Sequence, residues 1–323
     1  MKNILLLATF LGFSLGNLWG QDAAAEPAAA APAAAAEPAP EPAAEEGESR
    51  WSDFLPLNKE MAGDADLPLP FGIGVTVYGQ EQDMKLKGNI SLTAATVLLQ
   101  GLDPLAYGAL TGATSTVTAT ADRVESEVDT NLAKIDAWVL PFLNVYGVFG
   151  EVDGENKVVN ASMVSPTSAA ATALIEDAFD KVPIDGDVYG FGAVLAYSKG
   201  RWWGTLDYSY TEADLDISSS KIKTYTLSPR IGTTGEVGDL KGSIWIGGMH
   251  QDVDEHQTGS VTEDLSAFGL GTQTISYDVK QEAEEEWNFL VGGSLDLSEQ
   301  FNIAIEGGFG EREQFMGSLT FRF

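Results

Sequence analysis

From Leu67 to Phe323, apolar residues recur at every second position in block after block. In the first block Leu67, Leu69, Phe71, Ile73, Val75 and Val77 share one face, while Gly72, Gly74, Thr76 and Tyr78 share the other. The pattern returns at 133–139, 143–149, 189–197, 202–210, 225–231, 244–246, 287–297, 301–309 and 315–323. Period two belongs to strands, and these blocks read as ten candidate strands of about nine to thirteen residues. Strands of a soluble sandwich usually run ~5–6 residues, whereas a tilted strand needs ~9–11 to cross a bilayer. The expected fold is therefore all-β: an antiparallel, up-and-down transmembrane barrel of about ten strands, within a range of about eight to twelve.

The connections fit the same reading. Tight ones (140–143, 198–201, 232–239, 297–300) alternate with mostly long ones (81–131, 152–186, 251–284), with short exceptions at 214–219 and 310–313. Membrane barrels have short periplasmic turns and longer outer loops. With ten strands and a periplasmic N-terminus, every tight turn falls on the periplasmic side. Aromatic placement adds a ruler. Tyr189 and Tyr197, Trp202 and Tyr210, Phe301 and Phe309, and Phe315 and Phe323 are pairs eight residues apart on one face of a strand. That offset along a tilted strand rises roughly 20 Å, close to the ~25 Å apolar band between aromatic girdles.

The last nine residues, Phe315 to Phe323 (FMGSLTFRF), alternate and close on Phe. They resemble the terminal strand of Gram-negative outer-membrane β-barrel proteins. The resemblance implies a porin-like class without a specific family, a place in the cell outer membrane, and recognition of this strand by the barrel-assembly machinery. It transfers no functional residue.

Residues 1–20 have a basic start at Lys2 and a twelve-residue apolar stretch, Ile4 to Leu15. This is too short to span a bilayer and suits a secretory signal peptide. Residues 21–50 hold fourteen Ala, five Pro and seven acidic residues. Proline breaks each Ala run, so a disordered, self-repelling periplasmic tether is expected. Residues 51–66 form a junction without assignment, and 67–323 form the barrel.

Within the strand register, the inward face carries Lys134, Asp136, Trp138, Tyr146, Trp203, Asp207, Arg230, Trp245, Asp296, Glu306 and Arg322. It also carries Tyr78, Asn144 and glycines such as Gly72, Gly192 and Gly292. Large rings facing glycines predict interlocking packing, since a ten-stranded barrel is little wider than the eight-stranded size that side chains fill. Buried charges of both signs should pair, with Asp296 and Arg322 expected together near the periplasmic end.

The chain has 18 basic against 48 acidic residues and no Cys. A phosphate-neutralising groove is thereby excluded, as are thiolate chemistry and disulfides. Segments 81–131, 151–187 and 251–286 hold 25 acidic residues against six basic ones. Without apolar anchors they are expected to form a solvated anionic surface that draws cations, including divalent ones. Two helices are expected there: one near Thr93–Gln100 followed by an Asp103-Pro104 cap, and one started by Thr167 or Ser168. His250, Asp252, Asp254 and His256 share one face of a strand, but their ~7 Å spacing is wide for a single ion. Omptin-type outer-membrane proteases also use Asp and His near the rim of ten strands, but no second Asp pair matches that arrangement here.

No catalytic residue, cofactor or metal is assigned. The expected function is a porin-like small channel with a narrow lumen and cation preference. The alternative is a structural or adhesive barrel with a closed lumen and acidic, cation-binding loops, and an outer-membrane hydrolase ranks third. Expected partners are outer-membrane lipid and lipopolysaccharide, the assembly machinery and divalent cations, but not nucleic acid.

Overall fold

A computed structural model describes residues 55–62, 67–216, 221–264, 266 and 271–323. The signal-peptide and tether assignments, and most of the junction, lie outside the described residues. All of the described residues belong to one unit, Ser49–Phe323. Leu57 N–H donates to the Val139 carbonyl (2.8 Å), which ties segment 55–62 to the wall.

Ten strands close into an antiparallel barrel: β1 (Phe71–Leu86), β4 (Arg123–Leu140), β5 (Leu143–Val159), β7 (Val182–Lys199), β8 (Trp202–Leu215), β9 (Lys221–Val237), β10 (Leu240–Asp264), β12 (Trp287–Asp296), β13 (Phe301–Phe309) and β14 (Arg312–Arg322). The seam joins β14 to β1, with Arg322 opposite Gly72 and Arg312 opposite Gln82. Phe323 and Phe71 exchange backbone hydrogen bonds of 3.0 and 3.2 Å at its lower end. Ile73, Val75, Ile135, Phe149, Phe191, Ile231, Ile244, Ile246 and Ile305 all point outward and are exposed. In water so broad an apolar belt would aggregate, whereas in a bilayer it is solvated.

The strands are longer than the apolar blocks suggest. Beyond Met249, whose side chain is buried, β10 loses the apolar alternation, yet it runs unbroken to Asp264. Above the apolar belt the outward positions carry charge instead, as with Glu81 and Asp83 on β1 and Glu125 and Glu127 on β4. Backbone pairing continues there all the same.

The wall also narrows towards its loop end. β11 (Thr272–Ala283) pairs with the upper half of β10 and, through Met84–Leu86, with the top of β1. It continues through Glu284–Glu286 into β12, which pairs with the lower half of β10. β11 and β12 are thus two halves of one descending path, and the β13–β14 hairpin is wedged beneath β11. Below the wedge the wall has ten strands; above it, eight.

A folded cap rises from this end, and here the expectation of unanchored acidic loops is overturned. β2 (Ile90–Ala95) pairs with β11, β3 (Thr114–Thr120) with β2, and β6 (Ser162–Ser165) with β3. Helices α1 (Thr96–Leu102), α2 (Pro104–Tyr107) and α3 (Ala169–Ala178) lie with this sheet. Ile90, Leu92, Leu98, Leu99, Val117, Met163, Ile175, Phe179 and Ile275 form the largest buried apolar cluster, around a Tyr107 that is 0% exposed. Burying each such side chain contributes ~1.5–3 kcal/mol, and no counterion is needed. The expected caps are present: Asp103 Oδ1 accepts from Leu105 and Ala106 N–H (3.1 and 3.0 Å), and Ser168 Oγ accepts from Ala171 N–H (3.2 Å).

Candidate functional site in the barrel interior

Alternation along each strand turns a second set of side chains inward, where they form three levels. Near the turn end, Asp136 Oδ1 accepts from Arg322 Nη2 (3.0 Å) and Asn144 Nδ2 (2.7 Å). This corrects the expected Asp296–Arg322 pair. Asp296 is exposed and accepts from Asn302 Nδ2 (2.7 Å). The seam explains the exchange: Arg322 and Asp136 flank Gly72 on opposite sides, and a Cβ there would stand 2.3 Å from Asp136 Oδ2. Without that Cβ, the ion pair forms straight across β1.

At mid-height Glu306 has a fully buried side chain and accepts from Arg230 Nε and Nη2 (both 2.7 Å) and Trp245 Nε1 (2.6 Å). Arg230 also lies 4.0 Å from Asp207, which accepts from the Tyr146 hydroxyl (2.8 Å). The Lys134 ammonium sits 4.4 Å over the Tyr146 ring, a cation–π contact. Three rings lie over glycines of the next strand: Tyr146 over Gly192, Trp203 over Gly232 and Trp245 over Gly292. A Cβ at any of these glycines would come within 2.3 to 2.4 Å of the ring. Trp203 and Trp245 also meet each other at 5.8 Å. Trp138 is half-buried, and its indole N–H has no partner.

The third level was not anticipated from the sequence. Arg312, Gln314 and Asn288 are buried, with Gln82 opposite Arg312 in the register and Gln251 two residues beyond Met249, which is opposite Asn288. The signal was available in parity, since Arg312 lies ten residues before the inward Arg322 on the same face, but 310–313 read as a connection. Above this level apolar side chains take most of the interior, with Asn156, Gln257 and Gln281 buried among them: Met84, Val124 and Val253 cluster with Val158 and Ile222, and Val152, Ile184, Val188 and Leu215 form a neighbouring group.

Outside the wall, Tyr189, Tyr197, Trp202, Phe301, Phe309 and Phe323 are exposed, while Tyr210 and Phe315 are half-buried. At the loop-end rim Tyr189, Tyr210 and Lys221 all bond to Glu212. His250 pairs with Glu286 and His256 with Asp278, each at 2.9 Å, so the two histidines are held by separate carboxylates. Among the described residues no group of three His, Asp or Glu side chains is gathered to hold a metal ion.

A closed ten-stranded barrel with an apolar belt and a polar, packed interior is a transmembrane β-barrel of the outer-membrane type. No protein-family model matches the chain, and no curated protein sequence does. Solved structures similar to it include the transport unit of the autotransporter AIDA-I from Escherichia coli, at 10% identity over 83% of this chain and 92% of that one, with a TM-score of 0.34. Another is the translocator domain of the autotransporter NalP from Neisseria meningitidis, at 10% identity, 82% and 91% coverage and a TM-score of 0.31. A third is a loop-deletion mutant of OmpT, an outer membrane protein of Vibrio cholerae, at 12% identity, 77% and 99% coverage and a TM-score of 0.25.

Proposed function

We propose that the protein is a sealed outer-membrane barrel whose working part is the folded, acidic cap that it holds above the outer surface. The observation that carries this reading is the apolar closure above the ionic level, where Met84, Val124 and Val253 meet inside a wall already narrowed to eight strands. A barrel of eight strands is just filled by side chains. The porin-like reading, with cation preference set by the acidic mouth, needs a continuous wet path through both levels. Against it stand the apolar closure and the bidentate Arg230–Glu306 pair.

The wall beneath the cap gathers Glu81, Asp83, Glu125, Glu127, Glu155 and Glu313 around a recess of about 360 Å³. Such a surface attracts cations, and divalent ions would bridge it to lipopolysaccharide phosphates. Assembly would proceed through the terminal strand ending at Phe323. No enzymatic role is proposed.

Planar-bilayer recording of the inserted full-length protein tests the reading. Silence in wild type, together with channel steps once Met84, Val124 and Val253 are all changed to Ser, is the expected result. Regular cation-selective steps from wild type would overturn it and restore the porin-like function.

A further inference from the structure

We infer that the barrel interior binds one small monovalent anion, of halide size, at Arg312. Arg312 opens β14 at the wedge where the wall passes from ten strands to eight. It is 1% exposed, and its Nη2 makes only a long 3.5 Å contact with the Met249 carbonyl. Its Nε and Nη1 have no hydrogen-bond partner, and among the described residues no carboxylate lies within ion-pair distance. A guanidinium does not give up its proton in a protein, and a buried charge without a counter-charge is strongly unfavourable.

The charges of the interior point the same way. Among the described inward side chains that are buried or half-buried, Lys134, Arg230 and Arg322 are matched by Asp136, Asp207 and Glu306. Arg312 is left over. Among the described residues, one buried cation is thus unmatched. One negative charge neutralises it, which selects a monovalent ion over phosphate or sulfate.

The surroundings supply further hydrogen-bonding groups. Gln314 Nε2 has no partner, and neither do Gln82 Oε1, Asn288 Oδ1 and Gln251 Oε1. Amide N and O positions follow from the hydrogen-bond network, so Gln82 and Gln251 can turn their NH₂ groups inward. Two guanidinium donors and the Gln314 amide are then available to the ion. This inference is separate from the sealed-lumen reading, because the surplus charge needs neutralising whether or not the barrel conducts.

The test uses the full chain refolded into detergent in sodium bromide and crystallised. Anomalous diffraction should show a bromide within hydrogen-bond distance of Arg312 Nε or Nη1. In parallel, the unfolding midpoint of wild type should rise with chloride relative to gluconate at equal ionic strength, and Arg312→Met should lose that rise. Absence of the bromide peak overturns the proposal, as does an equal chloride effect in wild type and Arg312→Met. If Arg312→Met does not refold, the bromide peak in wild type decides alone.

Discussion

Changing Glu306 to Gln probes whether the middle of the barrel is a packed ionic plug or a wet passage. Glu306 accepts three hydrogen bonds of 2.6 to 2.7 Å, two from Arg230 and one from Trp245, with no side-chain exposure. Glutamine keeps the volume but removes the charge and turns an NH₂ towards one of the donors. Breaking a buried ion pair by removing one partner costs ~3–5 kcal/mol. Arg230 retains Asp207 at 4.0 Å and is itself 14% exposed. The expected loss is therefore at the low end, ~3 kcal/mol. Removing both partners, as in Arg230→Met with Glu306→Leu, eliminates the stranded charge. That double variant should recover most of the loss, short of ~1 kcal/mol for the Trp245 N–H left without an acceptor. Urea titration of the refolded protein in detergent, followed by the gel mobility of unboiled samples, gives the free energies by linear extrapolation. A Glu306→Gln variant within ~0.5 kcal/mol of wild type would place the carboxylate in water, where ion pairs contribute little, and would refute the plug.

Two further outcomes are expected. Asp103 is held below the usual carboxylate range, first by the Ala106 backbone N–H and then by Ser168. A carboxylate lowered in the folded state stabilises above its ordinary pKa, and that contribution fades as pH falls through the lowered value. Protection of the α2 amides, measured as exchange relative to the intrinsic rate at each pH, should therefore start to drop below about pH 4 in wild type, and in Asp103→Ala it should be low at all pH values. Phe323 closes the seam with two backbone hydrogen bonds and stacks on Phe71 at 5.8 Å. Deleting it should reduce membrane insertion sharply; normal insertion of the shortened chain would show that the terminal strand is not read at its last residue.

The ten barrel strands and their tight turns were legible because a bilayer demands apolar side chains at every outward position. Above the belt that demand ends. Glu81, Asp83, Glu125 and Glu127 extend their strands with a polar outward face, so the upper wall read as loop. The cap strands are short, with at most three residues of any one strand pointing to the core (Ile90, Leu92 and Ala94; Val117 and Ala119; Met163), too few for a periodic signal. The helix starts were legible at Asp103 and Ser168 because capping is local chemistry. The Asp296–Arg322 error had a different origin. Depth along neighbouring strands can be counted from a sequence, but the partner across the seam depends on closure, which brings β14 beside β1 and puts Asp136 in reach across Gly72.

The wedge geometry links these levels. Because β11 and β12 form one descending path, inserting the β13–β14 hairpin beneath β11 adds two strands to the lower wall and none to the upper. The lower ring needs large fillers, and it has Trp203, Trp245 and Tyr146 lying over glycines. The upper ring is narrow enough for Met84, Val124 and Val253 to meet. At the step between them the hairpin tip turns Arg312 inward, where among the described residues neither the ionic level below nor the level above offers it a carboxylate. The same step lets β10 leave β12 and continue upward as a strand paired to β11, which carries the cap sheet. Cap and barrel therefore share backbone pairing rather than a flexible hinge, so loss of the lower plug should loosen the cap as well.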